Sequence, residues 1–234
     1  MEQTQRNRLS SAERDALQQN LKQTWQDMYV LTKPEEIIPY ECDGLAAYRE
    51  IPFAVVLPET EAQVQRVLKT CKQWNIPVVP RGAGTGLAGS AMPIPDGVVL
   101  SMAKFNRILE VNQQARTATV QPGVRNLAIS EAAAQYQLYY APDPSSQIAC
   151  TIGGNVAENS GGVHCLKYGL TVNNVLKVRA ITIDGDIVEF GSRAPDAPGL
   201  DLLGVLIGSE GMFCVTTEVV VKLVPKPQLA QVIM

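Results

Sequence analysis

Pro80-Arg81-Gly82-Ala83-Gly84-Thr85-Gly86-Leu87-Ala88-Gly89 is the stretch on which the reading of this chain turns. Glycines at 82, 84, 86 and 89 lie within ten residues that directly follow an apolar run, Ile76–Val79. Glycine accepts φ > 0 and lets a backbone approach a ligand closely, and successive N–H groups in such a loop make a nest for anions. A diphosphate is the guest that suits it. A plain flexible turn has no need of so many glycines beside an arginine with apolar structure on both sides. The segment Gly84–Gly89 matches G-x-G-x-x-G literally, but the dinucleotide fingerprint needs a helix that starts inside the motif. Pro93, Pro95 and Gly97 follow too soon for one. Glu110 stands near the distance of a ribose-binding acid, yet inside a hairpin pattern. No G-x-x-x-x-G-K-[ST] loop is present.

Outward from this loop the elements alternate. Ser10 with Glu13 forms a capping pair, and Leu17, Leu21, Trp25 and Met28 recur at helical spacing, which predicts a helix over about 11–31 ended by Pro34. Residues 33–52 read as loop. Ala54–Leu57 is a short apolar strand, Thr60 with Gln63 caps a helix with a Val64, Val67, Leu68, Cys71 stripe, and Ile76–Val79 is a second strand. Strand, helix and strand at this spacing predict a βαβ unit with a parallel pair. Val98–Ser101 reads as another buried strand. After residue 105 the pattern changes. Ile108–Asn112 and Thr117–Gln121 predict a hairpin, Asn126–Tyr136 a helix, Val175–Ile183 and Ile187–Phe190 a second hairpin about Asp184-Gly185-Asp186, and Cys214–Val224 a long strand. The expected fold is α+β in two lobes: a small parallel βαβ lobe, then a larger mixed and antiparallel lobe, with an N-terminal helix.

Bulk properties exclude several classes. In 234 residues, 46% hydrophobic, the apolar material suffices for a sizeable core. The net charge of −3 gives no basic surplus for nucleic acid. No uncharged apolar run reaches the roughly 18 residues of a membrane span, and the first fifteen residues have no signal-peptide core. The five cysteines include no C-x-x-C pair, so iron–sulfur and zinc sites are not expected, and reduced thiols in a cytoplasmic protein are. The single histidine, His164, builds no histidine metal cluster.

Three more glycine clusters lie downstream: Pro122-Gly123-Val124; the run from Pro142 through Ser146 into Cys150–Gly162; and Gly208-Ser209-Glu210-Gly211. Glycine pairs among small polar residues suit a backbone lying against a flat ring, and with the first loop they suggest a long, two-ended cofactor. In this order, RGAGTGLAGSAMP, QPGV, APDPSS, TIGGNVAENSGG and GSEGMFCVTTEV resemble the FAD-binding domain of the vanillyl-alcohol oxidase/p-cresol methylhydroxylase family over residues 39–234. Within it, GGVHCLKYGLTV and VKLVPKP are most similar to the flavin subunits of bacterial glycolate oxidases.

The resemblance implies FAD held between two α+β lobes. Arg81, Gly82, Ala83, Gly84, Thr85, Gly86 and Leu87 would wrap the diphosphate, continued by Gly89 and Ser90. Pro122 and Gly123 would lie at the adenine end; Pro142, Asp143, Ser145 and Ser146 along the flavin–ribityl region; Gly153, Gly154 and Asn155 beside the rings; and Val215 would touch the cofactor through its main chain. Some relatives attach FAD covalently through a histidine where this chain has Thr85, so noncovalent FAD is implied. Cys214 stands where relatives have glycine, and its side chain is expected to crowd the cofactor. His164 reads either as a proton-relay residue or as a structural hydrogen-bonding residue near the flavin, the second being favoured. The implied domains are an N-terminal helical segment at 1–38, the FAD-binding domain (PCMH type) at 39–228, and at 229–234 the start of a substrate domain that the chain does not contain. The implied activity is oxidation of a small 2-hydroxy acid, with an iron–sulfur subunit as electron partner, in the cytoplasm or peripherally at the inner membrane. D-lactate or 2-hydroxyglutarate as substrate, and a non-catalytic FAD-binding module, remain alternatives.

Overall fold

The spacing of Leu17, Leu21 and Trp25 does produce a helix, α1 (Ser11–Thr24), but it stops before the expected end. The computed structural model describes residues 11–194 and 198–229, so Ser10 of the expected capping pair lies outside the described residues. Leu21 and Trp25 are fully buried. Beyond Trp25 the chain turns and extends as β1 (Tyr29–Leu31), where an aromatic and a β-branched residue favour a strand over the helix expected there. Pro34 likewise opens a helix rather than closing one. It is the first residue of α2 (Pro34–Ile37), the position where its missing N–H costs nothing.

The chain divides into two units. The first runs to Lys104 and includes Ile183–Asp186. Its sheet is built from β1, β2 (Ala54–Leu57), β3 (Val78–Arg81) and β4 (Val98–Ser101), in the order β1-β2-β4-β3. Both β2 and β3 run parallel to β4, whereas β1 is antiparallel to β2. The expected βαβ unit is present, but β4 separates its two strands, so they do not pair with each other. Between them, α3 (Glu61–Gln73) starts where expected: Thr60 Oγ1 accepts the Gln63 N–H, and Gln63 Oε1 accepts the Thr60 N–H. Its Val64, Val67, Leu68 and Cys71 are buried, each worth on the order of 2 kcal/mol of hydrophobic stabilisation. β3 lies two residues later than read from sequence, because Ile76 N–H still bonds to Cys71 O of the helix end. That shift places Arg81 at the carboxyl end of β3, opposite Ser101, where ligands of open α/β sheets bind. The Asp184-Gly185-Asp186 turn belongs to this unit: Gln65 Nε2 donates to Gly185 O at 2.7 Å, and Lys72 pairs with Asp184.

The second unit holds Phe105–Thr182 and the residues from Ile187 onward. Along the chain come β5 (Ile108–Asn112), β6 (Thr117–Val120), α4 (Asn126–Ala133), β7 (Leu138–Tyr139), α5 (Ile152–Glu158), α6 (Cys165–Tyr168), α7 (Thr171–Asn174), β8 (Val175–Ile181), β9 (Ile187–Gly191), α8 (Leu202–Leu206), β10 (Val215–Lys222) and β11 (Val224–Pro225). The five-stranded sheet has the order β5-β6-β10-β8-β9 and is antiparallel throughout. Both hairpins read from the sequence are its two halves, joined by β10. The long strand expected over 214–224 is divided: after Leu223 the chain leaves the sheet, and Val224 pairs with Tyr139 of β7. Val120, Ile129, Ile152, Val178, Val219 and Val221 form the fully buried centre of this unit's core.

Candidate functional site

The glycine loop leaves the end of β3 in the first unit, and Arg81 holds it shut from beneath. Arg81 is 7% exposed. Its Nη1 donates to Cys42 O at 2.8 Å and to Ala91 O at 3.1 Å, and its guanidinium lies 5.5 Å from the centre of the Tyr40 ring. Burial lowers its pKa, and the Asp43 carboxylate opposes the shift. One side chain thus ties the start of the loop to its end and to the segment 40–44. With the Arg81 side chain occupied by these carbonyls, the diphosphate wrap that the resemblance implies falls to the backbone N–H groups of the loop.

Within the loop, Gly84 has φ +68 and Gly89 φ +81. A Cβ on Gly84 would fall 2.2 Å from Arg81 Nη2, so no side chain fits there while Arg81 keeps its place. A Cβ on Gly89 would meet nothing nearer than Leu45 Cδ2 at 3.9 Å. Among the described residues, no backbone N–H from Ala83 through Gly89 donates a hydrogen bond within the chain. Gly82, Thr85, Gly86 and Ser90 are partly exposed, Ala83 is exposed, and Leu87 is 73% exposed. Unpaired donors, no carboxylate of the loop's own and two left-handed glycines are a donor set that fits phosphate oxygens.

The second unit gathers most of the other sequence-predicted residues around the start of α5. Thr151 caps that helix, its Oγ1 accepting the Gly154 N–H. Gly153 donates its N–H to Pro122 O at 2.9 Å, and a Cβ there would fall 2.6 Å from Pro122 Cβ. Glycine at 153 therefore serves contact between α5 and Pro122-Gly123. At Gly154 a Cβ would meet only Thr151 Oγ1, at 3.6 Å. Asn155 is buried, and its Oδ1 accepts from Asn126 Nδ2 at 2.8 Å. The same Nδ2 donates to Pro142 O at 3.1 Å, and Asn155 Nδ2 contacts Cys150 Sγ at 3.4 Å. Asn126, at the first turn of α4, is thus the hub joining Pro142 to α5. Ser145 and Ser146 lie in the turn beyond Asp143, where Ser146 O accepts the Cys150 N–H at 2.7 Å. Val215 lies on β10, opposite Ile181.

Asp143 anchors a further loop. Its Oδ2 is 2.6 Å from His164 Nδ1, and its Oδ1 accepts the His164 N–H at 3.2 Å. A Cβ on Gly162 would fall 2.1 Å from Asp143 O, so glycine is required for this approach. His164 is thus hydrogen-bonded to Asp143 through both its ring and its backbone. Beside it, the Tyr168 ring meets the Tyr139 ring edge-on at 6.2 Å. Burial, then the bond to Tyr168, pushes the Tyr139 phenol up to about 12, whereas the hydrogen bond from Tyr139 and then Lys167 lower Tyr168. The Gly208–Gly211 turn docks on the end of α5 through Gly208 N–H to Val156 O and Glu210 N–H to Ala157 O, at 2.9 and 2.8 Å. Cys214 precedes β10 and is buried. It packs into the apolar core, where burial raises its thiol to about 11.

Sequence reasoning missed Asn126, Gly162 as an approach point, and Cys42–Gly44. The glycine in Asp43-Gly44 was the one available signal for the last.

An anion-ready glycine loop at the carboxyl end of the parallel strand β3 marks the first unit as a nucleotide-binding one. The FAD binding domain family matches residues 52–191, and the chain belongs to that family, with FAD as its cofactor. It is 58% identical over 226 residues to the glycolate oxidase subunit GlcD of Escherichia coli K12, covering 97% of this chain and 45% of that protein. It is 39% identical over 175 residues to a D-lactate dehydrogenase of Archaeoglobus fulgidus, covering 74% of this chain and 39% of that one. The chain therefore spans less than half the length of these relatives. Among solved structures it resembles alkyldihydroxyacetonephosphate synthase, with a TM-score of 0.76 at 24% identity, covering 86% of this chain and 38% of the other. That likeness concerns the fold. Among the described residues no helix is long and apolar enough to cross a membrane.

Proposed function

We propose that this chain is the FAD-binding portion of a flavin-dependent oxidoreductase that oxidises a small 2-hydroxy acid of the glycolate type. The observation that carries the reading is the run of unpaired N–H donors from Ala83 to Gly89, in a chain 58% identical to a glycolate oxidase subunit. When bound, FAD would supply the acceptor, at flavin N5, for the hydride that leaves the substrate α-carbon.

The chain's own residues bind and orient. Arg81 through Leu87, Gly89 and Ser90 hold the diphosphate, the backbone donating and the Arg81 side chain keeping the loop closed. Pro122 and Gly123 serve the adenine end, Pro142, Asp143, Ser145 and Ser146 the ribityl region, Gly153, Gly154 and Asn155 the ring system, and Val215 contributes its main chain. Asn126 fixes Pro142 against Asn155, and His164 fixes Asp143. Threonine at 85 has no nucleophilic nitrogen, so FAD is held without a covalent bond. The intact protein works in the cytoplasm, or peripherally at the inner membrane, and passes electrons to an iron–sulfur partner. The relative named a D-lactate dehydrogenase supports D-lactate as the second candidate substrate.

Acid precipitation of the purified yellow chain tests the binding mode: FAD is expected in the supernatant. Flavin left on the polypeptide would overturn the noncovalent reading, and FMN would overturn the diphosphate reading. Glycolate and D-lactate, mixed anaerobically with the FAD-loaded chain, are expected to leave the flavin band unbleached. Its single histidine is committed to Asp143, and the relatives hold more than half their length outside the matched part. Rapid bleaching by either acid would locate the substrate site within these residues.

A further inference from the structure

We propose that Cys42-Asp43-Gly44 is the back plate of the diphosphate loop: it fixes the peptide planes of the loop so that the N–H groups of Gly86 and Leu87 face the anion. The inference rests on the reading of residues 81–90 as the diphosphate site. It adds a positioning element some forty residues upstream, in a stretch whose sequence reads as loop.

The geometry carries it. A Cβ built on Gly44 would fall 2.7 Å from Gly86 O and 2.8 Å from Thr85 O, and in both peptides the oxygen is the atom nearest to it. Two successive carbonyls of the loop therefore point at Gly44. In a trans peptide the C=O and the N–H of the next residue point in opposite directions. The N–H partners of those carbonyls belong to Gly86 and Leu87, so both are turned to the side away from Gly44. Neither has a partner among the described residues. Any side chain at 44 would push the two carbonyls off and rotate the donors with them.

The plate is itself held in place. Arg81 Nη1 bonds to Cys42 O, and the ring of Tyr40 lies beside the same guanidinium. Asp43 is 6% exposed, its Oδ1 accepts the Leu45 N–H at 2.8 Å, and its Oδ2 is buried with no hydrogen-bond partner. A buried carboxylate so poorly paired by hydrogen bonds is tolerated through the charge of Arg81, whose pKa it raises. Plate and loop are thus one charge-coupled clamp, with the donors on the outer face.

The test uses the full chain stripped of flavin and retitrated with FAD, following quenching of flavin fluorescence, with three variants. Gly44→Ala is expected to weaken FAD binding on the order of 100-fold, the scale of losing two charge-assisted hydrogen bonds. The far-UV spectrum and urea midpoint of the apo chain should change little. Arg81→Lys keeps the charge but loses the fork that reaches Cys42 and Ala91, and is expected to behave likewise. Gly84→Val separates this inference from the reading beneath it. If Gly84→Val binds FAD as the parent does, the loop is not the diphosphate site and both ideas fall. If Gly84→Val loses FAD while Gly44→Ala retains it, the back plate alone is refuted. A measurement on the parent avoids any folding defect in the variants: amide exchange at Gly86 and Leu87 is expected to slow on FAD loading, and unchanged exchange at both would overturn the proposal.

Discussion

Replacing Asn126 with alanine removes one nitrogen that serves two acceptors. Asn126 Nδ2 donates to Pro142 O at 3.1 Å and to Asn155 Oδ1 at 2.8 Å, and the residue is 1% exposed, so water does not take over either bond without rearrangement. Each buried acceptor left unpaired costs about 1–3 kcal/mol, and the truncated side chain leaves a small void, so the total comes to about 3–4 kcal/mol. That is a large share of the 5–15 kcal/mol by which domains are stable, yet it leaves a folded majority. At a urea slope of about 2 kcal/mol/M, the midpoint should fall by about 1.5–2 M with the slope unchanged. FAD affinity should fall more than stability alone requires, because Pro142 and Asp143 lose their tie to α5. Asn126→Asp should be worse still, since it sets a carboxylate against two acceptors. Paired urea and FAD titrations of parent and both variants make the measurement. A midpoint shift below about 0.3 M for Asn126→Ala would show that the asparagine hub is not what holds the segment, and the cost worked out above would be refuted.

Gly162→Ala should lower stability by about 2 kcal/mol and loosen the His164 loop, because its methyl meets Asp143 O at 2.1 Å; thermal unfolding and proteolysis between residues 160 and 170 would reveal it. Iodoacetamide at pH 8 should label Cys42 and Cys165 well before Cys71 and Cys214, whose thiols burial raises to about 12 and about 11, with peptide mass mapping as the readout. Glu189 is held below its ordinary value of 4.5, first by the hydrogen bond from Lys177 and then by the charges around it. Its contribution to stability is therefore full above that ordinary value and lost as pH falls through the lowered one, so Lys177→Met should flatten the acid limb of a stability-versus-pH curve without changing its neutral slope.

Local signals carried most of the fold. The Thr60–Gln63 cap, the apolar runs at Ala54–Leu57 and Val98–Ser101 and both hairpins were legible because each is decided by neighbours within a few residues. Tyr29–Leu31 was misread as helix because Met28 continues the spacing of Leu21 and Trp25. Only the pairing with Leu57, Val56 and Val55 shows that the chain has already extended. The insertion of β4 between β2 and β3 was equally hidden, since nothing in either strand says which neighbour it will find. At the site, the glycine loop announced itself by composition. The residues that position it did not: Cys42 meets Arg81 at a separation of 39, Asn126 meets Asn155 at 29, and Asp143 meets His164 at 21. Asparagine at the start of a helix and glycine in a loop both look ordinary until the distant partner is known.

The sheet order β5-β6-β10-β8-β9 sets a timetable for biosynthesis. The β5–β6 and β8–β9 hairpins leave the ribosome early, each with one unpaired inner edge, and the strand that satisfies both edges, Val215–Lys222, is made last. Until it emerges, Val120 and Val178 have no common core, and two open edges of β-rich chain are available to any other strand. A nascent chain that ends short of β10 is accordingly expected to need a chaperone rather than to wait half-folded, and FAD is expected to bind only after that strand has closed the sheet.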